Sequence, residues 1–257
     1  MDLGLSGRTA LVCSSTAGIG EAIARALAAE GAQTVVCGRR AHRAKEIAAE
    51  LPSAIAVEAN LLSENGPAEM FEATVAAFGP PDVLVLNGPG PRPAPAVGVE
   101  DADLDVALDA TLRQHIRLVS QALPSMRERG WGRILAVGSS GIAAPLPNLA
   151  LSNLGRAALA GYLKTLAAEV AADGVTVNLL LPGRIETDRT AAVDAANAER
   201  TGRAVAEVRQ ASLATIPAGR YGRPAEFAAA AAFLCGEPAS YITGTALRCD
   251  GGLVRNL

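Results

Sequence analysis

A turn rich in serine and glycine follows the first apolar run of the chain. It reads Ser14-Ser15-Thr16-Ala17-Gly18-Ile19-Gly20 and leads into a helical pattern. Glycine lets a backbone approach a phosphate closely, and a helix N-terminus offers free N–H groups and the positive end of its dipole. The pattern alone is weak evidence, because an unliganded strand–helix turn can look the same. Its position favours a dinucleotide-phosphate site, and the residues we assign to it are Ser14, Thr16, Gly18, Ile19 and Gly20.

Two arginines follow the next apolar run, which ends Cys37-Gly38-Arg39-Arg40. An acidic residue at this point would bind the 2′-hydroxyl of a ribose, whereas arginine suits a 2′-phosphate through charge-assisted hydrogen bonds. The alternative is a pair of solvated arginines at a helix start, where positive charge is mildly unfavourable. We therefore predict that Arg39 selects NADP(H), with NAD(H) the less favoured cofactor.

The elements that must position these residues alternate between strands and helices. The apolar runs predict strands at 9–13, 34–37, 53–58, 82–86, 133–137, 175–180 and 246–249, and the intervening patterns predict helices at 20–30, 41–51, 67–78, 104–129, 148–172 and 225–234. Such alternation requires a parallel sheet that is covered on both faces. The predicted fold class is α/β, a single Rossmann-like domain over 1–257. Its doubly wound parallel sheet has about seven strands, with helices on both faces and a ligand crevice at the strands' C-terminal ends.

Composition excludes several other classes of protein. Half of the 257 residues are hydrophobic and 19% are charged, which a disordered chain would not show. A net charge of −3 favours neither nucleic acid nor a membrane as partner. The longest apolar run, 227–235, is too short to cross a bilayer, and the N-terminus carries no recognisable export signal. The four dispersed cysteines predict buried free thiols and no metal site. A cytoplasmic location is therefore expected.

Further motifs resemble those of the short-chain dehydrogenase/reductase family over nearly the whole chain. They are Asn60-Leu61, the run from Leu84 through Asn87-Gly88 to Gly90, Pro182-Gly183-Arg184-Ile185-Glu186-Thr187, Gly219 to Glu226, and Ile242 to Gly252. By pattern, the nearest relatives are the 3-oxoacyl-(acyl-carrier-protein) reductases. The resemblance implies that Asn60 and Leu61 touch the adenine and that Asn87 and Gly88 lie under the cofactor. It also implies that Pro182, Gly183, Ile185 and Thr187 meet the nicotinamide, and that the protein forms a homodimer or homotetramer.

The catalytic positions depart from the family pattern. Family members carry an Asn, Ser, Tyr and Lys tetrad, and the flanking segments place these positions at Thr111, Ser139, Ser152 and Arg156. Only the serine is retained. The first glycine of the family's phosphate turn is also replaced, by Ser14.

These replacements affect proton delivery more than binding. Carbonyl reduction needs a hydride on carbon and a proton on oxygen, and a serine hydroxyl at 152 is far too weak an acid to replace a phenol. Arg156 cannot transfer a proton, but it can bind the nicotinamide ribose and stabilise an oxyanion. Water, the substrate or His115 could supply the proton instead. We favour a surface or interface position for His115, and a packed-loop role for Tyr221 over an approach to the site.

Two functional hypotheses remain open. The first is an NADP(H)-dependent oxidoreductase with an altered proton donor, acting on a carbonyl or hydroxyl substrate such as a small molecule or a 3-oxoacyl thioester. The second is a non-catalytic NADP(H)-binding pseudo-enzyme that acts as a sensor or partner subunit. An irregular polar stretch at 188–215 is a candidate substrate flap. Four arginines lie on segments that could border the crevice: Arg92, Arg113, Arg184 and Arg189. They suggest an anionic or phosphopantetheine-linked substrate, although solvated surface positions explain them equally well.

Overall fold

One parallel sheet forms the centre of the molecule, whose computed structural model describes residues 1–256. Within that range the strands are β1 (Thr9–Val12), β2 (Gln33–Gly38), β3 (Ala54–Glu58), β4 (Val83–Leu86), β5 (Gly132–Val137), β6 (Val175–Pro182) and β7 (Ala246–Cys249). Their order is β3-β2-β1-β4-β5-β6-β7, and every neighbouring pair is parallel. The predicted doubly wound α/β fold is confirmed.

Helices cover both faces of this sheet. They are α1 (Gly18–Ala29), α2 (Ala41–Ala49), α3 (Gly66–Phe78), α4 (Asp101–Leu108), α5 (Gln114–Glu128), α6 (Ala150–Val170), α7 (Asp188–Thr201), α8 (Val205–Ala214) and α9 (Pro224–Cys235). Alternate residues of the buried strands point to opposite faces, so the core has two halves. One half packs α1, α2 and α9 on the sheet, and the other packs α3, α5 and α6.

A π-helical turn interrupts the long helix predicted over 104–129. It covers Asp109–Arg113 and joins α4 to α5. The turn packs tightly against α6, because a Cβ atom at Gly155 would lie only 1.9 Å from Oγ1 of Thr111. Glycine at this position therefore permits the contact between the π turn and the helix that carries Ser152 and Arg156.

The segment predicted to be irregular over 188–215 is helical, and that expectation was wrong. It contains α7 and α8, and α7 begins where Oγ1 of Thr187 accepts a hydrogen bond from the backbone N–H of Thr190. The segment is rich in Ala and Arg, which are strong helix formers, but its only larger apolar side chains are three Val and one Leu, so a helical period is hard to recognise. We refer to 188–214 as the helical cover.

Other features predicted from composition can be located in the same structure. Cys13, Cys37 and Cys235 are buried free thiols, and Cys249 is half-buried. Among residues 1–256, no helix combines the length and apolar character required to cross a membrane. The same range holds no group of three or more His, Cys, Asp or Glu side chains arranged to bind a metal ion.

Candidate active site

A single cavity at the C-terminal ends of the strands brings the predicted cofactor residues together. Its volume is about 960 Å³. Every residue predicted for the cofactor cradle lies in its wall: Ser14, Thr16, Gly18, Ile19, Gly20, Arg39, Asn60, Leu61, Asn87, Gly88, Arg156, Pro182, Gly183, Ile185 and Thr187. Ser139 and Ser152 lie in the same wall. Residues that were predicted from segments far apart in the chain therefore line one cavity.

The first residue of the phosphate turn has a left-handed backbone conformation although serine replaces the family's glycine there. Ser14 has a φ of 49°, in the left-handed region that glycine adopts at no steric cost. Its carbonyl oxygen accepts a hydrogen bond of 3.2 Å from Nδ2 of Asn87. A Cβ atom at Gly20 would lie 2.4 Å from that same carbonyl oxygen, so glycine is required there. Ser14 thus holds a strained backbone conformation, at a cost of roughly 1–2 kcal/mol.

The wall of the cradle fits a dinucleotide. Helix α1 starts after Ala17, which provides no side-chain cap, so the N–H groups of its first turn remain available. Side chains at two glycine positions would narrow the cavity. A Cβ at Gly18 would lie 3.3 Å from Cγ2 of Thr187, and a Cβ at Gly88 would lie 3.1 Å from Cδ2 of Leu61. Backbone donors and bare glycines therefore face the space where a pyrophosphate would bind.

The two arginines after β2 have different roles. Arg40 donates from Nη2 to the carbonyl oxygen of Thr16 at 2.6 Å and from Nε to its Oγ1 at 3.4 Å, and so braces the phosphate turn. Arg39 is exposed in the cavity wall and makes no hydrogen bond or ion pair with any residue in 1–256. Arg39 is therefore an available cation at this end of the cavity. The bracing by Arg40 was not foreseen, because adjacent arginines give no sign of which one faces the turn.

Ser139 and Ser152 present hydroxyl groups to the other end of the cavity. Oγ of Ser139 accepts a 3.0 Å hydrogen bond from the backbone N–H of Gly141, which starts a short 3₁₀ turn after β5. That contact leaves its O–H proton available to a ligand. Ser152 lies in the first turn of α6, and its hydroxyl has no hydrogen-bond partner within the described chain.

Arg156 is a fixed cation beside the end of β5. Its Nη1 donates to the carbonyl oxygens of Val137 at 2.7 Å and Gly138 at 3.0 Å. Burial lowers its pKa to about 10, and the charge of Arg189 acts in the same direction, yet the group stays protonated at neutral pH. Neither Nε nor Nη2 has a hydrogen-bond partner among residues 1–256, so part of the guanidinium remains available to a ligand.

Thr111, predicted at a catalytic position, does not line the cavity. Its side chain is buried, and Oγ1 donates to the carbonyl oxygen of Ala107 at 2.6 Å, inside the π-helical region. A shorter hydroxyl in place of the family's amide bonds to its own helix and does not reach the cavity.

His115 is buried, so the surface or interface position that we favoured was wrong. It is 4% exposed and lies behind Gly88, where its Cε1 would be 3.4 Å from an added Cβ. Burial lowers its pKa to about 4, so the ring is neutral at pH 7. The carbonyl groups of Thr111 and Asn87 lie near enough to raise the pKa slightly. However, neither ring nitrogen makes a hydrogen bond of good geometry with any described residue.

A buried carboxylate anchors the helical cover. Asp194 on α7 accepts hydrogen bonds from the hydroxyl of Tyr221 at 2.8 Å and from Nη1 of Arg184 at 3.4 Å. Asp194 and Tyr221 are 2% and 4% exposed. Tyr221 is thus a packed loop aromatic, the interpretation favoured from the sequence, and it lies outside the cavity wall.

The four arginines considered for the rim of the crevice differ in their partners. Three of them pair with carboxylates: Arg92 with Asp103 at 2.6 Å, Arg113 with Asp105 at 2.9 Å, and Arg184 with Asp194 at 3.4 Å. Arg189 is different, since within residues 1–256 it pairs with no carboxylate and its Nη2 donates to the carbonyl of Pro91 at 3.4 Å. Arg189 also lies in the cavity wall. Of these four arginines, Arg189 is therefore the one whose charge no carboxylate within residues 1–256 neutralises.

Two loops form a rim that sequence reasoning missed. The proline-rich loop after β4 pairs with the segment before α6 through a parallel bridge between Ala94 and Leu149. The N–H of Ala94 donates to the carbonyl of Asn148 at 2.9 Å, and the N–H of Ala150 donates to that of Ala94 at 3.1 Å. Neither segment reads as a strand, so no local signal indicates this pairing. The rim's opposite side comes from α7 residues: Val193, Ala196, Asn197 and Arg200.

A parallel α/β sheet, a glycine-containing phosphate turn at α1, and a serine after β5 in the same cavity as a cation on α6 are features of the short-chain dehydrogenases/reductases. The chain belongs to this family: the sequence model described as "Enoyl-(Acyl carrier protein) reductase" matches residues 13–254. The family members are oxidoreductases, and the resemblance found from the motifs is confirmed.

Individual relatives agree with this assignment over the whole chain. The 3-oxoacyl-[acyl-carrier-protein] reductase of Aquifex aeolicus (strain VF5) is 35% identical over 259 residues, covering 98% of this chain and 100% of the relative. The enzyme of that name from Escherichia coli (strain K12) is 33% identical over 254 residues, covering 98% and 99%. Among solved structures, L-sorbose reductase from Gluconobacter frateurii, complexed with NADPH and L-sorbose, has a TM-score of 0.94 at 31% identity and full coverage of both chains. The 3-ketoacyl-(acyl-carrier-protein) reductase from Brucella melitensis, complexed with NADH, has a TM-score of 0.85 at 32% identity, covering 97% and 99%.

Proposed function

We propose that this protein is an NADP(H)-dependent oxidoreductase that interconverts a carbonyl and a hydroxyl group with an altered proton donor. The observation that carries the proposal is the single cavity. It has Arg39 and the uncapped start of α1 at one end, and Ser139, Ser152 and Arg156 at the other. Cofactor site and reacting groups are thus within reach of one bound dinucleotide.

The residues of the cradle would hold the cofactor along its length. Arg39 supports the choice of NADP(H), since its uncompensated guanidinium suits a 2′-phosphate. The N-terminus of α1 suits the pyrophosphate, and the adenine would contact Asn60 and Leu61. When bound, the nicotinamide supplies or accepts the hydride.

The chain's own groups would bind and polarise the substrate. The hydroxyls of Ser139 and Ser152 can donate hydrogen bonds to a carbonyl oxygen, and Arg156 can stabilise the negative charge that develops on it. Neither serine is acidic enough to be the source of the proton. We therefore assign water in the cavity the role of relaying a proton from bulk solvent to the oxyanion that Arg156 stabilises. His115 is neutral and lies outside the cavity wall, which argues against direct proton transfer from it.

Cofactor titration and turnover test this proposal directly. We expect NADPH to bind more tightly than NADH in a calorimetric titration. We also expect NADPH oxidation, followed by absorbance, with members of a panel of ketones and 3-oxoacyl thioesters. Ser139→Ala should lower kcat more than it changes NADPH affinity, since the residue faces the substrate end. Failure of the protein to bind either cofactor would contradict the proposal.

A non-catalytic NADP(H)-binding protein is the second candidate, because the cavity wall contains no phenol. Ser152 stands at the family's tyrosine position, and the described tyrosines lie elsewhere: Tyr162, Tyr221 and Tyr241. Tight NADPH binding with no turnover on any carbonyl of the panel would favour this candidate. In that case, reductase activity gained by a Ser152→Tyr, Arg156→Lys double variant would show that only the proton relay had been lost.

We also propose a homodimer or homotetramer. Val106 on α4 and Leu154 on α6 are 63% and 46% exposed, and α4 packs beside α6. Large apolar side chains on adjacent helices are typical of a surface that another subunit covers. Light scattering of the purified chain tests the proposal, and a monomeric mass at micromolar concentration would contradict it.

A further inference from the structure

Arg156 and Arg189 approach the same small volume inside the cavity. A Cβ atom built at Gly90 would lie 3.2 Å from Nη2 of Arg189 and 3.7 Å from Nη2 of Arg156. The two groups come from different elements, α6 and the first turn of α7. Two guanidinium groups therefore converge on one point beside the loop that follows β4.

This positive charge is not neutralised by the protein. Asp188 is the one acidic side chain in the cavity wall, and it forms no ion pair with either arginine in the described chain. Arg184 is already paired with Asp194. Like charges brought together in a partly buried site repel each other unless an anion joins them.

We propose that Arg156 and Arg189 together bind a carboxylate of the substrate, which is then a compact oxo acid or hydroxy acid. Nη2 of each arginine lies near this point and can donate a charge-assisted hydrogen bond to a carboxylate oxygen, which leaves Nε of Arg156 for the reacting oxygen. The first turn of α7 adds the positive end of its helix dipole. This inference names the substrate class of the proposed oxidoreductase and rests on that function.

The position of Arg156 selects a carboxylate near the reacting carbonyl over a distant phosphate. Arg156 is fixed to the carbonyl oxygens of Val137 and Gly138, immediately before Ser139. An anion bound there lies next to the carbonyl that Ser139 would polarise. The phosphate of a phosphopantetheine is separated from its thioester carbonyl by the whole length of the arm, so it cannot occupy this point while the carbonyl reaches Ser139.

Binding of non-reducible probes tests the assignment. We would titrate the protein calorimetrically, with and without NADP⁺, with butanoate, its neutral isostere butanamide, and methyl phosphate. We expect butanoate to bind about tenfold to a hundredfold more tightly than butanamide, the range of a charge-assisted hydrogen bond. Arg189→Gln should remove most of this preference, and Arg189→Lys should retain part of it. Arg92→Gln, which changes an exposed arginine outside the cavity wall, is the matched control and should keep the full preference.

Three results would overturn the inference. They are equal binding of butanoate and butanamide by the unmodified protein, an undiminished preference in Arg189→Gln, and, with NADP⁺ occupying the phosphate positions at Arg39 and α1, tighter binding of methyl phosphate than of butanoate. The first and third comparisons need no variant, so they decide the matter even if Arg189→Gln does not fold. Because the probes carry no reducible carbonyl, their binding is independent of turnover. The NADPH titration and carbonyl panel report separately on the proposed function.

Discussion

Replacing His115 with leucine should remove a pH dependence of stability that the buried imidazole imposes. The chain has two histidines, and they lie in different environments. His115 is buried without a hydrogen bond on either ring nitrogen among residues 1–256, whereas His42 is exposed. Leucine has a similar volume and no polar atoms to leave unpaired. The substitution therefore tests the energetic effect of the imidazole without opening a cavity.

The magnitude follows from the lowered pKa of His115. The pKa falls from 6.5 to about 4, which corresponds to about 3 kcal/mol at roughly 1.4 kcal/mol per unit. Between these pH values the unfolded chain binds a proton that the folded chain does not. The free energy of unfolding therefore decreases as the pH falls from 6.5 towards 4, and this group adds no slope above 6.5. At neutral pH the leucine variant should be at least as stable as the original, because an unpaired buried polar group is destabilising by about 1–3 kcal/mol.

Urea unfolding at fixed protein concentration, repeated from pH 4 to pH 7, measures this difference. Carboxylates contribute to both proteins and cancel when the two curves are subtracted. We expect the stability of His115→Leu, relative to the original chain, to rise by about 3 kcal/mol as the pH is lowered from 7 to 4. A His42→Leu variant, which removes the other imidazole of the chain at an exposed site, is the control for the loss of a histidine as such. Parallel curves for the original chain and His115→Leu would refute the assignment of a buried neutral histidine.

Three further substitutions test other parts of the structure. Arg39→Asp should shift the ratio of NADPH to NADH affinity towards NADH by roughly tenfold to a hundredfold, since it removes a charge-assisted contact and adds repulsion; unchanged preference in titrations would contradict the role of Arg39. Ser14→Gly should raise stability by about 0.5–1 kcal/mol in chemical unfolding, because relief of the left-handed strain exceeds the added entropy of glycine; a loss of stability would show that the strain is absent. Gly155→Ala should destabilise the protein by more than about 2 kcal/mol, because its Cβ would overlap Oγ1 of Thr111; a melting temperature equal to that of the original chain would show that α6 and the π turn can separate.

The strands and the cavity wall could be predicted because their signals are local. An apolar run such as 9–13 has one favourable place, the middle of a covered sheet, and the turn after it must then lie at the carboxyl edge. Once the strand order follows, residues as distant as Ser14, Asn87 and Thr187 meet without any further information. The fold was therefore predicted correctly, and the residues predicted for the cofactor cradle line one cavity.

Features that depend on contacts between distant segments could not be predicted. The burial of His115 depends on how α5 packs behind the loop that contains Gly88, and the sequence pattern of an amphipathic helix does not contain that information. The bridge between Ala94 and Leu149 joins two loops without strand character. The ion pairing of each arginine depends on carboxylates from other elements. Arg184 forms an ion pair with Asp194, whereas Arg189 pairs with no carboxylate among residues 1–256.

The anchoring of the helical cover has a consequence for the entry and release of ligands. Moving α7 away from the sheet would separate the carboxylate of Asp194 from both Tyr221 and Arg184 and expose it to solvent. Any exchange of a ligand that requires α7 to move is therefore coupled to the breaking of these two hydrogen bonds and to the exposure of a buried carboxylate.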